Sequence, residues 1–382
     1  MTRGRSTQGF SPSDDLVAAV SAEAGLSADR WFPDLDARRV RARVLSTDAR
    51  ARCFLHRIEL DDGRVRRTVV VKVRHSQARL RRRDRFDERP VLNPERTMSD
   101  EQTARREYDG LLSIAEALGC EDERFGVLRP LAWLPNQSAI VMDLVEEPTL
   151  RDRLLETSRN RLRRSPAMDE TAWNNAGAWL RIFHDHETRL TLPARIETRG
   201  QVAEMYGAYA DFLLERTGAS SCLLHLKELA VELAGGSLPT ELPLCPGHGD
   251  YVANNMFAGA AGRVTVFDPL IRWRVPRYQD LGTLTVGVRI VPLQAMTQGL
   301  TLPERELGRY EDAVLRGYFG SEEVPLRTIR AYQLLVLLDR WSDLVSKQVP
   351  HGTVRPRLHE LRVLLASRHC QRETRRLILL LS

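Results

Sequence analysis

The stretch His248-Gly249-Asp250-Tyr251-Val252-Ala253-Asn254-Asn255 sets a carboxylate and a carboxamide five positions apart. A second carboxylate, Asp268, ends the apolar run RVTVF a little farther on. A carboxylate can orient a hydroxyl or accept its proton. A carboxamide oxygen and a second carboxylate suit a hard cation such as magnesium, which takes one or two protein carboxylates and leaves its other positions to phosphates and water. The chemistry these groups could do together is phosphoryl transfer, with Asp250 on the hydroxyl and Asn255 and Asp268 on the metal. Taken alone, the same residues read equally well as a turn followed by a hairpin.

Lys72 narrows that choice. It sits inside the apolar run VVVKV, where an unmatched ammonium would cost several kcal/mol. A carboxylate on a facing helix and a nucleotide phosphate would match it, and Glu107 in ARREYDGLL is the best-placed carboxylate. Lysine is rare here. Of 57 basic residues, only Lys72, Lys227 and Lys347 are lysine. A third feature is the connector AIVMDLVEEPTL, apolar and then acidic, whose main chain at Asp143 and Val145 could meet the edge of a nucleotide base.

These groups need elements to hold them. The apolar spacing of DLVAAVSAEAG predicts a helix from Ser13 that stops at Gly25. VRARVLS, CFLHRIEL and TVVVKVRH read as strands, the last two joined by the hairpin signal DDGR. After an arginine-rich loop, SDEQTARREYDGLLSIAEAL reads as a helix opened by a capping box of Ser99 and Gln102. Two more strands are predicted around VLRPLAWL and SAIVMDLV. From Thr149 onward the spacing turns helical, interrupted by a strand pair, NNMFAG and RVTVFDP, around a glycine-rich turn. The chain ends in a basic amphipathic stretch from Arg357. This predicts an α+β protein in three parts. Residues 1–27 are a polar, mobile segment and a helix; 28–145 are an antiparallel sheet lobe with a helix, the nucleotide-binding part; 146–382 are a mainly helical catalytic and substrate-binding lobe.

Composition agrees with a globular protein, at 42% hydrophobic and 28% charged residues. No apolar run approaches the length of a membrane span, and the first residues hold no apolar core of a secretory signal, so no membrane partner is expected. The five cysteines form no CxxC pair, which fits small buried side chains in a reducing compartment. The expected location is cytoplasmic. The net charge of +6 is spread along the whole chain as arginine and points to no single site.

HGDYVANNMF, VFDP and the later RYQDLGTL together resemble the aminoglycoside phosphotransferase family, the small-molecule branch of the protein-kinase-like fold. The matching positions are His248, Gly249, Asp250, Asn255, Asp268, Arg277, Asp280 and Leu281, and the helix around His184 resembles the one ahead of the family's catalytic loop. The likeness spans about Val40 to Thr285. It implies a bilobal kinase-like fold and an ATP-dependent (or other nucleoside triphosphate-dependent), magnesium-dependent phosphotransferase acting on a hydroxyl of a small molecule such as an aminoglycoside, a sugar or a related metabolite. It also implies Asp250 as base, Asn255 and Asp268 as metal ligands, Lys72 held by Glu107 on the phosphates, and Asp280 as a prop for the catalytic loop. The sequence departs from the pattern in three places. LSTDARAR between the first strands has no glycine, Asp268 precedes Pro269 as in the fructosamine-kinase branch, and Val252 stands where members often carry histidine.

Three other readings compete. A catalytically inactive kinase-like regulator would have little reason to keep Lys72, Asp250, Asn255 and Asp268 together. A nucleic-acid-binding protein would draw on RLRRRDR and the basic C-terminus, but aromatic content is 6% and no nucleic-acid motif is present. A metallohydrolase using His248, Asp250 and Asp268 would lack a second histidine at ligand spacing.

Overall fold

A computed structural model describes residues 14–50, 52–75, 89–94, 98–119, 122–160, 170–186, 190–218, 221–346 and 356–381. The polar N-terminus and most of the arginine-rich loop lie outside them, as does Cys120. The chain forms two compact units, each described here by itself. The first takes the described residues within 1–85, 97–115 and 128–146. The second takes those within 86–96, 116–127 and 147–382.

The first unit is a five-stranded antiparallel sheet with two helices. In chain order it holds α1 (Asp14–Trp31), β1 (Arg41–Ala49), β2 (Cys53–Asp61), β3 (Arg66–Arg74), α2 (Asp100–Leu118), β5 (Pro130–Leu134) and β6 (Ala139–Asp143), with sheet order β1-β2-β3-β6-β5. β4 (Phe125–Val127) belongs to the second unit. Helix α1 runs past Gly25, contrary to the stop expected there. Leu16, Val20, Ala24, Ala28 and Trp31 form one continuous buried stripe, and packing that stripe against Ile58, Leu60, Val69, Val71 and Val141 outweighs the small helix penalty of one glycine.

Strand alternation does the positioning. In β3, Val69, Val71 and Val73 turn to the core shared with α1, so Lys72 and Arg74 point to the opposite face. β3 lies between β2 and β6, so Lys72 is on an interior strand and its charge must be met inside the fold. The capping box that starts α2 is present. Ser99 N–H donates to Gln102 Oε1 at 3.0 Å, and Gln102 N–H donates to Ser99 Oγ at 3.1 Å.

The second unit is mainly helical. It contains α3 (Leu150–Asn160), α4 (Thr171–Asp185), α5 (Arg199–Thr217), α6 (Ser221–Glu232), α7 (Tyr278–Arg289), α8 (Pro292–Met296), α9 (Glu304–Phe319), α10 (Leu326–Ser346) and α11 (Pro356–Leu381). Two small sheets interrupt the helices. β7 (Leu244–Pro246) pairs with β10 (Arg274–Pro276), and β8 (Met256–Ala258) and β4 flank β9 (Val264–Val266). The single strand expected at VLRPLAWL is therefore divided. Phe125–Val127 runs parallel to β9, whereas Pro130–Leu134 pairs with β6. Among the described residues no helix is long and apolar enough to cross a membrane.

Candidate phosphoryl-transfer site

In the first unit, Lys72 Nζ donates to Glu107 Oε1 at 2.6 Å. Glu107 sits on the face of α2 turned inward with Ala104, Leu111 and Ile114, and its side chain is 1% exposed. Its other oxygen accepts from the Arg74 guanidinium, with Nε at 3.0 Å. One buried carboxylate thus meets two buried cations, both from the same face of β3. The sequence reading identified Lys72 and Glu107 but missed Arg74. The available signal was the period of two that puts Arg74 beside Lys72.

The connector gives a divided answer. Asp143 is the last residue of β6, and its main-chain N–H donates to Arg129 O at 3.1 Å. Its carboxylate accepts from Arg129 Nε at 2.5 Å and Nη2 at 3.2 Å. Val145 lies two positions beyond the strand. Of the two N–H groups, the one at Asp143 is committed within the unit.

In the second unit the motif forms a tight loop after β7. Gly249 has φ +83°, and a Cβ there would lie 2.4 Å from Leu270 O, so only glycine fits. The close approach is fixed by Leu270 N–H donating to His248 O at 2.8 Å. Asn255 ends the short turn Ala253–Asn255 that leads into β8 and donates Nδ2 to both Asp250 O and Asp250 Oδ2, at 3.0 Å each. With its nitrogen so engaged, the amide presents Oδ1 as an oxygen donor, which is what a hard cation takes. Phe267 N–H donates to Asn255 O at 3.0 Å and so ties this turn to the end of β9, where Asp268 follows. Asp268 adopts φ +57°, the left-handed region that Asp enters more readily than most residues with a Cβ. An amide oxygen and a carboxylate are the oxygen donors that magnesium takes, and Asn255 and Asp268 are the candidates for them.

Behind the loop, Asp280 from the first turn of α7 accepts the His248 main-chain N–H at 2.7 Å. The same oxygen meets His184 Nε2 at 3.3 Å, which leaves His184 Nδ1 to accept from the Tyr318 hydroxyl at 2.8 Å. Burial pushes the Asp280 carboxyl up, but the His184 bond and the His248 N–H more than offset it and hold it below the usual range. Asp280 is 1% exposed and props the loop from behind. Arg277 lies 3.5 Å from Asp185.

His248 is not available as a metal ligand. Its ring is fully buried and enclosed by Trp179, Phe183 and Tyr251, away from any opening a cation and its waters could use. The metallohydrolase reading loses its histidine to this aromatic box. A last group escaped the sequence reading altogether. Arg340 of α10 places Nη2 3.9 Å from Asp250 Oδ1, and no spacing in the sequence links the two.

No family model matches the chain, and no curated protein sequence matches it. Solved structures do. A choline/ethanolamine kinase family protein from Mesorhizobium loti superimposes with a TM-score of 0.51 at 14% identity, over 94% of this chain and 97% of that one. An ethanolamine kinase from Plasmodium vivax gives a TM-score of 0.51 at 11% identity, over 96% of this chain and 91% of that one. The chain shares the fold of these two structures, α+β and in two units, as expected from the sequence.

Proposed function

We propose that this protein is a phosphotransferase that moves a phosphoryl group from a magnesium–nucleoside triphosphate, ATP in the simplest case, to a hydroxyl of a small molecule. The observation that carries this reading is the clasp of Asn255 on Asp250, which couples the candidate base to the candidate metal ligand in one turn. Asp250 orients the acceptor hydroxyl and takes its proton. Asn255 Oδ1 and the Asp268 carboxylate would hold magnesium, which when bound neutralises charge on the phosphates. Lys72, kept extended by Glu107, is the cation for the nucleotide phosphates, and the connector around Val145 is the segment offered to the base. The protein's own contribution is positioning and preset charge.

The test is a screen of hydroxylated metabolites and antibiotics for ADP production with magnesium and ATP, using Asp250→Ala as the blank. Acceptor-dependent ADP in the wild type alone supports the reading. A chain that neither consumes ATP nor gains thermal stability with magnesium–ATP would be a non-catalytic relative of this fold.

A further inference from the structure

Asp250 is held from two sides. Asn255 Nδ2 takes Oδ2 at 3.0 Å, and Arg340 faces Oδ1 at 3.9 Å. The acids beside Arg340 on α10 are already matched. Asp339 accepts from Arg89 Nη1 at 3.2 Å, the Leu92 N–H at 3.1 Å and the Tyr209 hydroxyl at 2.7 Å, and Asp343 lies 3.8 Å from Arg89. Among the described residues, Arg340 pairs with Asp250, and both side chains reach solvent, at 44% and 36% exposure. A long pair in such a setting is weak. A ligand oxyanion that could engage the flat guanidinium fork with two hydrogen bonds would replace it readily.

We infer that Arg340 reads the acceptor, and that the acceptor is an alcohol carrying an oxyanion, a carboxylate or a phosphate, a few bonds from the hydroxyl that is phosphorylated. The inference rests on the kinase reading above. A cationic acceptor would bring like charge up to Arg340 beside the reacting oxygen. A neutral acceptor would leave Arg340 on Asp250 Oδ1, in competition with the incoming hydroxyl. An anionic acceptor draws the guanidinium to itself and frees Oδ1. In the transfer, the acceptor oxygen bonds to the terminal phosphorus, the bond from that phosphorus to the bridging oxygen breaks, the nucleoside diphosphate leaves, and the hydroxyl proton passes to Asp250. Arg340 touches the acceptor and takes no proton.

The experiment uses matched probes on two skeletons: glycerol, glycerate, glycerol 3-phosphate and 3-aminopropane-1,2-diol; then glucose, gluconate, glucose 6-phosphate and glucosamine. Binding to the 382-residue chain is measured by calorimetry with magnesium–ADP present, for the wild type, Arg340→Ala and Arg340→Lys, and turnover is measured with magnesium–ATP. The expected result is that one skeleton binds through its acidic members. Their affinity falls ~10- to 100-fold in Arg340→Ala, the worth of a charged hydrogen bond, and recovers in part in Arg340→Lys, while the neutral and cationic members lose no affinity. The carboxylate and phosphate arms tell the two oxyanions apart. If no acid binds in an Arg340-dependent way, or if Arg340→Ala weakens all members alike, the inference is overturned. If Arg340-dependent binding of an acid is seen but ATP is never consumed, the oxyanion site stands and the kinase reading fails. Should Arg340→Ala unfold, Arg340→Gln, which keeps the length and removes the charge, gives the same comparison.

Discussion

Asn255 donates its side-chain amide to both the main-chain carbonyl and the carboxylate of Asp250. One residue therefore sets the rotamer of the candidate base and turns its own oxygen outward for a cation. The two groups act as a unit, and a change at either should be felt at both.

Asp250→Ala should lower turnover by about 10² to 10⁴, the usual worth of a positioned acid or base. Its side chain is partly exposed, so the fold should survive. Steady-state assays with circular dichroism as the folding control check this, and wild-type turnover would remove Asp250 from the chemistry.

Asp268→Ala should weaken binding of magnesium–ATP more than binding of ATP without metal. Asp268 is the one carboxylate of the candidate donor pair, and the uncharged Asn255 amide cannot replace its charge on the cation. Titration calorimetry with and without magnesium separates the two effects. Equal loss in both would mean that the residue is structural.

Glu107→Gln should destabilise the protein by about 3–5 kcal/mol, because Lys72 and Arg74 would keep their buried charges and lose the carboxylate that neutralises them. Urea denaturation measures it. The Michaelis constant for the nucleotide should rise as well, since Lys72 would no longer be held extended by its partner. An unchanged midpoint would place the pair in solvent.

Gly249→Ala should cost about 1–3 kcal/mol of stability and lower activity, from a left-handed backbone and a Cβ driven against Leu270 O. Thermal unfolding with activity assays on the folded fraction reads both. Full activity at full stability would show that the loop can open away from Leu270 without consequence.

Acid should weaken the first unit through Asp62. Its carboxylate accepts the main-chain N–H groups of Asp36, Val65 and Arg64, at 2.9, 2.8 and 2.7 Å, and these bonds pull its pKa down to about 2. A group with a depressed folded pKa lends stability above its unfolded value of about 4 and loses it as pH falls toward 2. Asp62→Asn should therefore be less stable than the wild type at pH 7, with the gap closing between pH 4 and pH 2. A constant gap over that window, in denaturation at fixed pH, would remove Asp62 as its source.

The local features of this chain are written in neighbouring residues. Alternation in VVVKV places Lys72 opposite Val69, Val71 and Val73, Ser99 and Gln102 cap their helix, and the span from Asp250 to Asn255 is short enough for one turn to bring both together. Each is set within a few residues, by periodicity or by a short ring of hydrogen bonds, and so is legible without coordinates. Packing decided what depends on distant partners. Helix α1 continues through Gly25 because the sheet offers a surface for Ala28 and Trp31, and Phe125–Val127 leaves its neighbours for β9. The charge around the candidate base was the least legible part. The motif resemblance named Asp280 as the prop behind the loop, but Arg340 reaches Asp250 only after a helix far along the chain has been laid beside it. Burial and long-range contact choose such partners among many arginines and acids, and sequence spacing carries no record of that choice.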